Sequence, residues 1–125
     1  MANNDRLFKL TKPFLHFTRI QPRFGDYDIF GHVNNNNVLA YFDLGKIDYT
    51  NRFIGKRLTP REVGVVVVNI NIDFLAPAEI GRELEVATTV IRLSERSVTL
   101  YQRLLDSVTD DVLAQATTVL AGFDP

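Results

Sequence analysis

One long helical pattern, followed only by strand patterns on short links, restricts this chain of 125 residues more than any other feature. Between Asn35 and Ile54, Val38, Leu39, Phe42, Tyr49 and Phe53 recur at helical spacing, and Ile47 and Ile54 broaden the apolar face. A face that wide predicts a helix largely surrounded by protein. Gly45 sits mid-helix at a cost of about 1 kcal/mol relative to Ala, which points to close backbone approach to a sheet. Gly55 ends the helix. Upstream, Phe14 to Phe24 reads as a strand, and Gly25 to Asn34 is a loop rich in Asp, Gly and Asn.

After a loop containing Pro60, every remaining element reads as strand. Val63 to Leu75 has one apolar face, Val66, Val68, Ile70, Ile72 and Phe74. Its other face begins with Val65 and Val67 and turns polar at Asn69, Asn71 and Asp73. Pro77 and Gly81 mark a turn. Glu83 to Leu93 and Ser97 to Asp106 form a hairpin about Ser94-Glu95-Arg96, and Val112 to Phe123 follows the Thr109-Asp110-Asp111 turn. Links this short force antiparallel pairing. The expected fold class is α+β, with one helix packed on an antiparallel sheet of about five strands.

Length 125 fits a single domain over 1–125, and a hydrophobic content of 46% supplies one core. The net charge of −1 is mixed along the chain, with no clustered basic face for nucleic acid. There is no cysteine, hence no disulfide, thiol nucleophile or Cys-based metal site, which fits a reducing, cytoplasmic setting. Met1 to Thr11 is polar, so neither a signal peptide nor a membrane segment is expected.

The chemistry-bearing residues crowd into Arg23 to Asn37. Asp26, Asp28, His32 and four consecutive asparagines lead into the helix. A helix N-terminus offers unpaired N–H groups and a partial positive charge, suited to a carbonyl oxygen that becomes an oxyanion. A carboxylate just upstream can act on that carbonyl as nucleophile or general base. Taken alone, Asp and Asn before a helix are more often caps and turn residues. Asp26 reads as a loop stabiliser and His32 as a loop hydrogen-bonder. Asp26, Asp28 and His32 match no strong metal-ligand spacing.

The string Asp26-Tyr27-Asp28-Ile29-Phe30-Gly31-His32-Val33-Asn34-Asn35, with Tyr41-Phe42-Asp43 on the helix, resembles the signature of hotdog-fold acyl-CoA thioesterases, in the 4-hydroxybenzoyl-CoA thioesterase-like group. The resemblance covers nearly the whole chain. It implies that Asp28 is the catalytic carboxylate and that the Asn35 backbone N–H polarises the thioester carbonyl. Gly31 turns the backbone into the helix, while His32 and Asn34 shape the loop. It also places Arg96 and Ser97 where relatives contact the nucleotide part of CoA. Asp43 stands where another branch uses a helix carboxylate, but that branch usually lacks the loop carboxylate, so Asp28 is favoured. The expected activity is hydrolysis of an acyl-CoA to free acid and CoA, with no metal or resident cofactor.

Two alternatives share the pattern: a non-catalytic acyl-CoA-binding module, which has no need of Asp28, and a thioesterase acting on acyl carrier protein. A hydratase on the same fold fits the context of His32 less well. Apolar residues on both faces of Val63 to Leu75 predict a homodimer or homotetramer, since one helix covers one face only. Val112 to Phe123 points the same way, with Leu113, Val119 and Phe123 on one face and Val112 and Leu120 on the other.

Overall fold

The computed structural model describes residues 6–54 and 65–122. Strand β1 (Phe17–Ile20) and a 3-10 turn (Phe24–Asp26) precede helix α1 (Asn35–Ile54). Strands β2 (Val65–Phe74), β3 (Leu84–Leu93), β4 (Ser97–Asp106) and β5 (Val112–Gly122) follow. All pairings are antiparallel, in one five-stranded sheet of order β1-β3-β4-β5-β2. Strands β1 and β2 form opposite edges, so α1 carries the chain from one edge to the other across a single face. Gly55, Pro60, Val63, Gly64 and Phe123 lie outside the described residues.

The helix buries Val38, Tyr41, Phe42 and Lys46, with Gly45 between them, against β1, β3 and β4. This stripe is narrower than the apolar face the sequence predicts: Ile47 and Phe53 stay exposed in the single chain. Gly45 meets the sheet as expected. A Cβ built on it would stand 2.5 Å from Val86 Cγ1 and 3.0 Å from Gln102 Nε2. Beneath it the fully buried Gln102 donates from Nε2 to the Phe42 carbonyl at 2.9 Å and to Thr88 Oγ1 at 3.0 Å.

The first strand is shorter than Phe14 to Phe24. Only Phe17–Ile20 pairs with β3, because Pro22 has no N–H to donate and the chain turns into the 3-10 segment. Two further expectations fail at β-bulges, which add a residue to one strand and reverse the alternation beyond it. In β2, Val67 lies opposite Leu120 and Asn69 opposite Val119, leaving Val68 as the extra residue. Val67 therefore shares the helix-side face with Ile70 and Ile72, and Val66 faces outward with Asn69 and Asn71. In β5, Val112 lies opposite Leu105 and Ala114 opposite Leu104, leaving Leu113 as the extra residue. Leu113 and Leu120 thus lie on the helix side, whereas Val112 and Val119 lie outward.

The outer face is partly covered by the chain itself. The segment before β1 crosses it, setting Phe8 and Phe14 on the Tyr101 ring at centroid distances of 4.9 and 5.9 Å. Gln115 fastens it: its Oε1 accepts from the Phe8 N–H at 3.1 Å and from Tyr101 Oη at 2.7 Å, and its Nε2 donates to the Arg6 carbonyl at 2.6 Å. Arg103 Nη2 donates to the Phe8 carbonyl at 2.9 Å. Edge strand β2 keeps a run of apolar side chains uncovered across both of its faces, with Val66, Val67 and Val68 at 48, 47 and 56% exposed.

Candidate active site

The loop between the 3-10 turn and α1 is built around two aspartates with different duties. Asp26 is 4% exposed. Its Oδ2 accepts from the Arg23 N–H at 3.0 Å and from Tyr41 Oη at 2.6 Å. These bonds, with the nearby Arg23 charge, hold its carboxyl below the usual value despite burial. Burial and the facing Asp26 charge push the Tyr41 hydroxyl well up. The Asp26 carbonyl accepts from the Asn34 N–H at 2.9 Å and from Asn37 Nδ2 at 3.2 Å. Asp26 therefore ties the loop to the helix, as its sequence position suggested.

Asp28 is exposed and held differently. A tight turn, closed by Gly31 N–H to the Asp28 carbonyl at 3.0 Å, spans Asp28 to Gly31. Gly31 adopts φ +78°, which glycine takes without strain. The Asp28 N–H donates to the His32 carbonyl at 2.8 Å. Inside the turn, Asp28 Oδ1 accepts from the N–H groups of Phe30 at 2.9 Å and His32 at 3.2 Å. Both bonds fall on one oxygen, and Oδ2 has no hydrogen-bond partner among the described residues.

Asn34 caps the helix. Its Oδ1 accepts from the Asn36 N–H at 3.0 Å, and its carbonyl accepts from Asn37 at 2.8 Å and Val38 at 3.1 Å. The Asn35 N–H is left without a partner among the described residues, at the positive end of α1. The loop is docked by Val33 N–H to the Ala78 carbonyl at 2.8 Å and by Ile80 N–H to the Gly31 carbonyl at 2.9 Å.

Asp28, His32 and Asn35 line one cleft of about 280 Å³. Its walls come from the β2–β3 connection, Phe74 to Ala78, and from Val33, Val38, Leu104, Leu113 and Ala114. Polar groups stand at one side and apolar side chains fill the rest, the form of a small-molecule site. These walls come from segments far apart in the chain, so no local pattern of residues marks them, and the stretch around Pro77 reads from sequence only as a turn.

Arg96 and Ser97 are not brought to this cleft within one chain. They sit at the β3–β4 turn, where Ser94 N–H donates to the Ser97 carbonyl at 2.9 Å. The cleft meets β4 at Leu104, about 23 Å further along at roughly 3.3 Å per residue. Asp43 does not line the cleft either; it is half-exposed and pairs with Lys46 Nζ at 3.0 Å. Among the described residues no group of three or more His, Asp or Glu is placed to hold a metal ion, and no helix is long and apolar enough to cross a membrane.

In sequence and fold the chain is similar to known thioesterases. The chain is 28% identical over 108 residues to the long-chain acyl-CoA thioesterase FadM of Escherichia coli, covering 86% of this chain and 82% of that one. A Thermus thermophilus thioesterase solved with coenzyme A and zinc superposes with a TM-score of 0.78 at 28% identity, covering 90% of this chain and 86% of that one. The PA5185 protein of Pseudomonas aeruginosa superposes with a TM-score of 0.75 at 31% identity, covering 86% and 76% of the two chains. A family model described as the thioesterase-like superfamily matches residues 22–125. The turn that orients Asp28, the capped helix behind it and this match over most of the sequence agree that the chain belongs to the thioesterase-like superfamily.

Proposed function

We propose that this chain hydrolyses acyl-CoA thioesters in the cleft between Asp28 and the start of α1. One observation carries the reading: Asp28 is oriented through one oxygen by two backbone N–H groups, while its other oxygen, in a cleft shared with the Asn35 N–H, has no partner among the described residues, nor does that N–H. A thioester carbonyl oxygen seated on the Asn35 N–H gains stabilisation as it becomes an oxyanion. Its carbon then lies within reach of Asp28 Oδ2 or of a water that Oδ2 deprotonates. The carbon–sulfur bond breaks as a carbon–oxygen bond forms, and water supplies the acid oxygen and the proton that ends on the CoA thiol. His32 and Asn34 shape the turn and cap. No step calls for a metal or resident cofactor.

The chain works as a single hotdog domain in the cytoplasm, assembled as a homodimer or homotetramer. The exposed Val66, Val67 and Val68 and the open edge of β2 support that assembly. A second copy is also what would bring Arg96 and Ser97 to the nucleotide end of a substrate.

Asp28→Asn tests the mechanism. It keeps the size and can still accept from the Phe30 and His32 N–H groups, but removes the charge. The expected result is a folded protein with nearly unchanged KM and kcat lowered about a hundredfold or more, followed by release of free thiol. Near-normal kcat would remove Asp28 from the mechanism. Loss of activity in Asp43→Asn instead would assign the chemistry to the helix carboxylate. Tight acyl-CoA binding without turnover in the unmodified protein would favour a binding module. Turnover confined to acyl carrier protein thioesters would change the carrier.

A further inference from the structure

The apolar end of the cleft is closed by residues that belong to the core. Leu104 and Leu113 are each 1% exposed and Val38 is 3% exposed, yet all three line the cleft and pack in the main hydrophobic cluster. Leu113 reaches this position through the bulge in β5. Regular alternation would send Leu113 and Ala114 to opposite faces, whereas the bulge lets both line the helix side. The Leu113 carbonyl accepts from the N–H groups of Leu75 at 2.9 Å and Ala76 at 3.1 Å, which fixes the bulge to the facing wall. Bulges beside active sites commonly re-aim a side chain in this way.

We propose that Leu104 and Leu113 form a chain-length stop, so that the cleft takes an acyl group of up to about eight carbons, or a single aromatic ring. This deepens the thioesterase reading and rests on it. The size follows from volume: an apolar cavity of about 150 Å³ holds one benzene, and the cleft of about 280 Å³ must also seat the thioester at its open side. Beyond that length each methylene presses on a core packed as densely as an organic crystal. The limit sets this chain apart from the Escherichia coli relative, whose name specifies long-chain acyl-CoA.

The test is steady-state turnover of acetyl-, butyryl-, hexanoyl-, octanoyl-, dodecanoyl- and benzoyl-CoA. The expected kcat/KM rises to six or eight carbons, accepts benzoyl, and falls at least about tenfold at dodecanoyl. Leu113→Ala shortens the floor and moves the optimum two to three carbons longer. Ala76→Leu adds bulk to the partly buried wall and moves it shorter, without depending on a core truncation being tolerated. The readout is a ratio of substrates within one protein, which general destabilisation does not move. Dodecanoyl turnover equal to or above octanoyl in the unmodified protein overturns the stop, as does an unaltered ratio in both variants. Failure to hydrolyse any thioester overturns the thioesterase reading instead. Calorimetry with the non-hydrolysable octyl and dodecyl thioethers of CoA then decides the stop by itself. Octyl binding at least as tight as dodecyl supports it, and tighter dodecyl binding overturns it.

Discussion

Gly45→Ala sets helix propensity directly against packing. In an exposed helix the change stabilises by about 1 kcal/mol. Here the new methyl would stand 2.5 Å from Val86 Cγ1 and 3.2 Å from Val86 Cβ. Carbon atoms are comfortable at about 3.5–4.0 Å, so roughly 1 Å of space must open. Val86 is fully buried and β-branched, and forcing its χ1 about 30° off a rotamer costs about 0.5–1.5 kcal/mol. The alternative is to lift α1, which stretches the 2.9 Å bond from Gln102 Nε2 to the Phe42 carbonyl and leaves a buried amide short of a partner, at about 1–3 kcal/mol. Overpacking of this kind costs about 1–3 kcal/mol in total; taking the middle of that range, the net expectation after the propensity gain of about 1 kcal/mol is a loss of about 1 kcal/mol. At this chain length that lowers Tm by roughly 4 °C, read by thermal melting at 222 nm. Val86→Ala removes the clashing methyl, so the double variant should recover about 1 kcal/mol relative to additivity. Lifting α1 also displaces the Asn35 N–H, so kcat falls alongside Tm. A Gly45→Ala protein that melts at or above the parent temperature would refute the close approach.

Acid should unfold the protein through Asp26 and Asp106. Burial alone would raise the Asp106 carboxyl, but the N–H groups of Val108 and Thr109 together with Arg82 bring it below its usual value, and Asp26 is lowered by the Arg23 N–H, Tyr41 and the Arg23 charge. A folded value below the unfolded one adds stability above the ordinary carboxyl value of 3.8, and this is lost as pH falls through the folded values. Chemical denaturation should therefore show stability declining below about pH 4, with a shallower slope in Asp106→Asn; an unchanged slope would refute the assignment. Arg96→Ala should raise KM for acyl-CoA severalfold at nearly constant kcat, the mark of lost uniform binding, with the effect weakened by salt and absent for a nucleotide-free thioester. Sedimentation equilibrium at micromolar concentration should find at least a dimer. Placing Lys at Val67 on the exposed stretch of β2 should shift the protein towards monomer, and a stable parent monomer would refute assembly through that edge.

The long elements were legible because their periodicity is local. Asn35–Ile54 and Ser97–Asp106 run between the residues that the spacing of apolar side chains and the flanking turns pick out. The bulges in β2 and β5 were not legible: Val68 and Leu113 look like ordinary strand residues, and only the pairing register shows that each is the extra one. The covering segment escaped for a related reason. Phe8 and Phe14 follow no helical or strand period, and their partner Tyr101 is far away in sequence. At the site, the resemblance singled out Asp28, His32, Asn34 and Asn35, and the structure gathers these at the turn and helix start. It does not reveal from sequence that Oδ1 alone takes both turn N–H groups, or that the cleft floor is Leu104 and Leu113, because both depend on segments that meet only after folding.

The strand order has a consequence in time. Strand β3 finds β1 already made, and β4 and β5 each pair with the strand just made, but β2 is made before all three and its partner is β5, the last to emerge. At about 5–20 residues per second of synthesis, β2 waits several seconds for its partner. Throughout that interval the sequence Val65-Val66-Val67-Val68-Asn69-Ile70 is unpaired, a short uncharged stretch of strong strand formers of the kind that recruits other chains. The interval between synthesis of β2 and β5 is therefore when this protein is most exposed to aggregation, and slowing the ribosome between residues 75 and 112 lengthens it.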